Sequence, residues 1–147
     1  MSFTRYVLMV VVDPQTRTAV GLIKKKGPSF LIDKITFPGG KIELGEHPGN
    51  AASREMLEET GLEIPALAWR SVEVRKTDSF ELCVLAARSA DVNQASSKEE
   101  EPVMPLQVEE HSALAAANPQ CYSPDFLTVL EGALKALKLA PLGNIAA

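Results

Sequence analysis

Glu55, Glu58 and Glu59 stand at i, i+3 and i+4 within residues 48–60, a segment whose pattern predicts a helix. At about 3.6 residues per turn, the three side chains fall within an arc of roughly 100°. Like charges at that spacing repel, and the repulsion grows when they are partly desolvated. Two explanations fit the residues alone: the face is simply solvated, or a divalent cation neutralises it. Hard oxygen donors of this kind suit Mg²⁺ or Mn²⁺ rather than zinc. Immediately upstream lie Phe37-Pro38-Gly39-Gly40-Lys41, then Glu43 and Glu46. The glycine pair lets backbone approach a ligand closely. Glu46 is near enough in sequence to join the cluster or to hold an arginine.

The helix that positions these carboxylates has legible ends. Pro48 suits a first helical turn, His47 is the N-cap candidate and Gly61 supplies a C-cap. Gly49, Ala52, Ser53, Met56, Leu57 and Thr60 form the opposite side of the wheel and are expected to pack on a sheet. That sheet is predicted from residues 6–12, nearly all apolar and so buried on both faces, and from the returning strand 18–24 after the turn at 13–16. Lys24, Lys25, Lys26, Gly27 and Pro28 make a basic loop, either a solvated hairpin end or a device that steers an anionic ligand. Further strands are expected at 33–37, 68–75 and 80–88, and a polar loop at 91–101. Residues 103–108 read as an edge strand, because Pro102 and Pro105 cannot donate to a ladder on both sides. A last helix opens at Ser123 or Pro124 and runs to about Leu139, with Phe126, Leu127, Leu130, Leu134 and Leu137 as its apolar face. Phe30 and Trp69 read as core residues.

Composition narrows the function classes. The chain has 147 residues, 15 Lys plus Arg against 19 Asp plus Glu, and a formal net charge of −4. The length suits one domain, 1–147, and the 46% apolar and 23% charged fractions are those of a folded globular chain. An acidic balance argues against binding long nucleic acid, which needs a basic footprint. The apolar run at 7–12 is far short of the ~20 residues that span a bilayer, and no secretory leader is read. Cys83 and Cys121 form no CxxC pair and read as reduced, buried thiols of a cytoplasmic protein. The oligomeric state is left open, a homodimer included.

Gly40, Glu46, Arg54, Glu55, Met56, Glu58, Glu59, Gly61 and Leu62 reproduce the pattern G-x5-E-x7-R-E-U-x-E-E-x-G-U, where U is bulky and apolar. Every specified position of residues 40–62 matches, and the segment resembles the Nudix box. The flanking 37–41 segment is similar to the usual approach to that box, and the order of elements resembles a compact MutT-type domain.

The resemblance implies an α/β (α+β) fold, an α/β/α sandwich around a mixed β-sheet. It implies hydrolysis of a nucleoside diphosphate linked to another moiety, with Mg²⁺ as cofactor and Mn²⁺ as a substitute. Carried over by position, Glu55, Glu58 and Glu59 become metal ligands and catalytic carboxylates, joined by the carbonyl of Gly40. Arg54 would orient Glu58 along the helix, and Glu46 would tie the loop to Arg54. The general base is left open among Glu55, Glu58 and an acid from a later loop. Within 98–102, Glu100 or Glu101 is favoured for that acid, and Glu101 is taken as the distal metal ligand. Gly39, Lys41, Asn118 and Asp125 are the expected substrate contacts, with Tyr122 able to stack on a base. The small size favours a nucleoside triphosphate pyrophosphohydrolase, acting on a small-molecule nucleotide. The alternatives are an ADP-ribose, dinucleoside polyphosphate or nucleotide-sugar hydrolase, or a non-catalytic nucleotide-sensing module.

Overall fold

β1 (Thr4–Asp13) is the central strand, and its sequence shows why. Val7, Met9 and Val11 point to one face and Val10 and Val12 to the other, and all five are buried. A computed structural model describes residues 3–143; the ends of the expected 1–147 domain, residues 1–2 and 144–147, lie outside the described residues. The chain continues through β2 (Thr18–Ile23), β3 (Ile35–Thr36), β4 (Gly39–Lys41), α1 (Pro48–Thr60), β5 (Arg70–Lys76), β6 (Phe80–Arg88), β7 (Val103–Gln107), α2 (Val108–Ala117) and α3 (Phe126–Ala136).

The main path of the sheet runs β3-β2-β1-β6-β5, with β4 on β1 and β7 on β2. β1 and β6 are parallel from Thr4↔Phe80 to Val12↔Arg88, whereas the other pairs are antiparallel. The sheet is therefore mixed, as expected. One edge of β1 is shared: Val12 pairs with Ala19 of β2, while Tyr6, Val7 and Leu8 pair with Lys41, Gly40 and Gly39 of β4. The sheet splits at that edge, and the split opens a cleft beside the glycine pair. α1 covers one face with Ala51, Ala52 and Met56, packed with Val7, Met9 and Val11. α2 and α3 cover the other, where Phe126, Val129, Leu130, Ala133 and Leu134 pack with Val10, Val12 and Val84. This is the predicted α/β/α layering.

Several expectations are corrected in detail. Leu57 is exposed, and Ala51 takes its place on the packed side of α1. The 33–37 strand shrinks to Ile35–Thr36, because Asp33 adopts φ 64° and bends the chain. β5 starts only at Arg70, after a single 3-10 turn at Ala66–Ala68. The last helix begins at Phe126 rather than at 123 or 124 and ends at Ala136. Two elements escape the sequence reading altogether, β4 and α2. Cys83 is buried as expected, but Cys121 is exposed. Among the described residues, no helix is long and apolar enough to cross a membrane.

Candidate active site

α1 carries the carboxylates, and its ends are fixed by the residues expected to fix them. Pro48 occupies the first turn, His47 Nδ1 accepts from the Gly49 N–H at 3.2 Å, and Gly61 closes the helix at φ 78°. The loop before α1 is held by one arginine. Arg54 grips Glu46 with two donors, Nε to Oε2 at 2.9 Å and Nη2 to Oε1 at 2.8 Å. It also donates to the Lys41 carbonyl at 3.0 Å and to Glu55 Oε1 at 2.9 Å. Glu58 Oε2 stands 3.5 Å from the same guanidinium. Hydrogen bonding to Arg54 holds the Glu46 carboxyl down at about 2. The same bonds push the Arg54 guanidinium up from its ordinary value. Both stay charged at any working pH, so this forked pair is a fixed brace between loop and helix.

The three acids of the helix occupy three different environments. Glu58 is half exposed. Glu55 is largely buried, and desolvation raises its pKa against the pull of Arg54. Its carboxylate lies flat against Gly40, so that a Cβ added at Gly40 would come within 2.5 Å of both oxygens. Glu59 is buried, 8% exposed, and its Oε2 meets no hydrogen-bond donor among the described residues. Burial first, and then Glu55, Glu99 and Glu101, push Glu59 up to about 8. A buried carboxylate with an orphaned oxygen is costly to keep unless something else satisfies it.

That orphaned oxygen, on a cavity that Gly39 and Gly40 also line, and an all-oxygen donor set fit a hard divalent cation. Arg54 draws Glu55 and Glu58 to itself, and among the described residues no three His, Cys, Asp or Glu side chains already surround a common point. Of the acids in the later loop, Glu99 is the one whose charge acts on both Glu55 and Glu59. The sequence pointed instead to Glu100 or Glu101. Glu100 pairs with Lys26 at 3.6 Å, and Glu101 is committed to the basic loop through the backbone N–H of Lys25 at 2.7 Å and Lys24 Nζ at 3.3 Å.

A cavity of about 640 Å³ adjoins the acids, with Gly39, Gly40, Lys41 and Glu59 among its lining and Arg75 and Asp125 elsewhere on it. Register links the two regions: Lys41 pairs with Tyr6, Tyr6 with Leu82, and Leu82 with Arg75. Three strand steps separate Lys41 from Arg75, roughly 14 Å across the sheet. Between them the wall is apolar, with Leu8, Leu82 and Val129. Asp125 holds φ 66°, unusual for a residue with a side chain, makes no helix cap, and instead pairs with Arg75 at 2.7 Å. Phe30, expected in the core, is 60% exposed and lines this cavity. Trp69 is in the core as expected, its Nε1 donating to Ser53 Oγ. Asn118 is not on the cavity; it closes α2 and donates to the Leu114 carbonyl. Tyr122 is buried, its hydroxyl 2.8 Å from His111 Nδ1, and offers no face to a base.

Residues 2–124 match the family model described as NUDIX domain. The chain belongs to the NUDIX domain family. It is 33% identical over 98 residues to Nudix hydrolase 7 of Arabidopsis thaliana, a match covering 60% of this chain and 34% of that protein. It is 41% identical over 54 residues to the 8-oxo-dGTP diphosphatase of Escherichia coli K12, covering 30% of this chain and 42% of the relative. The matches thus span well under half the length of either curated relative. Among solved structures, the NUDIX domain of Shewanella oneidensis NrtR complexed with ADP ribose aligns with a TM-score of 0.72 at 15% identity, over 93% of this chain and 90% of that one. A MutT structure from a study of the Aliivibrio salmonicida and Vibrio cholerae enzymes aligns at 0.66 and 20% identity, over 88% and 98%. These two likenesses establish the NUDIX fold, an α+β arrangement with a mixed sheet.

Proposed function

We propose that this NUDIX chain hydrolyses a nucleoside diphosphate linked to another moiety, and that its substrate is a nucleoside triphosphate cleaved to monophosphate and pyrophosphate. The observation that carries the reading is the buried Glu59 with its unpartnered oxygen, set beside Glu55 and Gly40 at a nucleotide-sized cavity. Glu55, Glu58, Glu59 and the Gly40 carbonyl would hold Mg²⁺ or Mn²⁺. When bound, the ion neutralises phosphate charge, polarises phosphorus and lowers the pKa of water.

The chain's own groups account for the rest. Glu46 fixes Arg54, and Arg54 fixes Glu55 and restrains Glu58, so the acids keep one geometry relative to the Gly39–Gly40 backbone. Lys41 offers an ammonium to the phosphates, and the glycine pair removes the side chains that would keep those phosphates away. Glu58, half exposed and 3.5 Å from Arg54, would hold the ion least firmly of the three acids and so would take the proton from attacking water. Glu99 adds a further carboxylate whose charge reaches both Glu55 and Glu59. Some 14 Å across the sheet, Asp125 and Arg75 present an acceptor and donors to the edge of a base, with Phe30 as an exposed aromatic wall.

The test is a panel of nucleoside triphosphates, ADP-ribose, nucleotide sugars and dinucleoside polyphosphates, each incubated with protein and Mg²⁺ and analysed for products. Monophosphate plus pyrophosphate from triphosphates supports the proposal. Turnover of none of them shows a binding module instead, and turnover of ADP-ribose alone reassigns the substrate.

A further inference from the structure

The basic loop after β2 is better built than a solvated hairpin end. Its base is closed by the Lys24 N–H donating to the Lys34 carbonyl at 3.0 Å and the Asp33 N–H donating to the Lys24 carbonyl at 2.8 Å. Between those bonds the chain turns through Gly27 at φ 106° and Asp33 at φ 64°. Lys24, Gly27, Pro28, Phe30 and Leu31 all line the cavity that also holds Gly40 and Glu59. One carboxylate from another element ties this loop down. Glu101 Oε2 accepts from the backbone N–H of Lys25 at 2.7 Å and of Lys26 at 3.3 Å, and lies 3.3 Å from Lys24 Nζ. Its side chain is only 13% exposed. The segment bearing Glu101 is itself fastened to the end of α1, with the Lys98 N–H on the Glu59 carbonyl at 3.1 Å and the Ser96 N–H on that of Thr60 at 3.0 Å. An unbroken run of bonds therefore joins the carboxylate helix to the loop that walls the cavity.

We propose that Glu101 is a positioning residue: it holds the 24–31 loop as one wall of the nucleotide cavity and keeps the Lys24 ammonium on the cavity that Glu59 also lines, where it meets the substrate's phosphates. Lys24 then joins Lys41 as a second cation on the anionic part of the cavity. Glu101 acts through the loop rather than on the substrate. The assignment rests on the cavity being the nucleotide site.

Two substitutions at one position separate the anchor from its charge. Both backbone N–H groups use the same oxygen, so Glu101→Gln can keep them on its single carbonyl oxygen, while Glu101→Ala loses them. The first readout is amide hydrogen exchange of Lys25 and Lys26 in the full chain. Glu101→Ala is expected to speed it about tenfold or more, since charge-assisted bonds are lost, and Glu101→Gln to change it little. The second is calorimetric binding of inorganic tripolyphosphate with Mg²⁺. Glu101→Ala and Lys24→Met are each expected to weaken it about tenfold, and Lys24→Met to add little once Glu101 is Ala.

A carboxylate acting by charge alone predicts the opposite sign, with both Glu101 variants binding tripolyphosphate more tightly, and that result overturns the proposal. So does unchanged exchange in Glu101→Ala together with weakened Mn²⁺ binding, which would return Glu101 to the metal. The exchange readout needs no turnover, so it judges the anchor even where the proposed hydrolysis fails.

Discussion

Gly40→Ala should produce a folded protein that has lost its activity. A methyl group there would sit 2.3 Å from the Glu55 carboxyl carbon and 2.5 Å from both its oxygens, about 1.1 Å inside the 3.4 Å at which ordinary contact begins. The far end of a flexible side chain can yield by that amount, so the backbone need not move. Gly40 has no positive φ, and replacing glycine by alanine in an allowed conformation trims the entropy of the unfolded chain by about 0.4–1 kcal/mol. Stability should therefore stay near that of wild type. The displaced group, however, is the acid that Arg54 holds against the glycine pair. A misplacement of about 1 Å in a catalytic constellation costs on the order of 100-fold in rate. Gly39→Ala makes the contrast, because its methyl group would meet the Val7 carbonyl of β1 at 2.7 Å, and backbone in a central strand cannot yield. Steady-state kcat/KM for triphosphate hydrolysis, measured beside thermal unfolding, reads both variants. A stable Gly40→Ala protein keeping more than half of wild-type kcat/KM would show that the seat of Glu55 against Gly40 does not govern the chemistry.

Other perturbations separate structure from chemistry. Arg54→Met breaks the forked pair with Glu46 and the bond to Glu55; for a side chain 27% exposed, the loss after solvent screening is about 1–2 kcal/mol, read by urea unfolding. Gly61→Ala forces a side chain into φ 78° at the end of α1, costing about 1–2 kcal/mol and lowering Tm by about 3–6 °C in calorimetry. His111 sits half-buried against Tyr122, and desolvation holds its pKa below the ordinary 6.5. The native state thus binds fewer protons than the unfolded chain, so stability is full above pH 6.5 and falls as pH drops toward the folded pKa. His111→Gln should flatten that part of a denaturation series taken from pH 7.5 to 5; an unchanged slope would show that another group sets it.

What the sequence made legible follows from where side chains carry the pattern. α1 was readable to the residue, because Pro48 and Gly61 mark its ends by their backbone preferences and not by context. β1 was equally plain from its unbroken apolar run. β4 was invisible, since a strand written Gly-Gly-Lys has no alternation to detect, and only its pairing with Tyr6, Val7 and Leu8 defines it. α2 was hidden by its composition: only Val108 and Ala115 of its ten residues are buried, so no apolar stripe stands out after the β-rich 103–107 run. At the site, the wheel placed Glu55, Glu58 and Glu59 together but could not show their different fates. Which carboxylate is orphaned depends on the cleft where β2 and β4 part, a tertiary feature. The same holds for Glu101, whose acidic run suggested a ligand and whose partners proved to be the N–H groups of a loop some 75 residues away in the chain. Phe30 was misjudged because a large aromatic in a short loop has no local signal to separate a pocket wall from a core.

An orphaned Glu59 oxygen beside the Glu55–Gly40 contact calls for a divalent cation shared among the three. Mn²⁺ binding followed by electron paramagnetic resonance, with wild type and Glu59→Gln side by side, tests it without any choice of substrate. Saturable binding is expected for the wild type, weakened about 10- to 100-fold in Glu59→Gln. Equal affinity in the two proteins, or no binding by either, would contradict it.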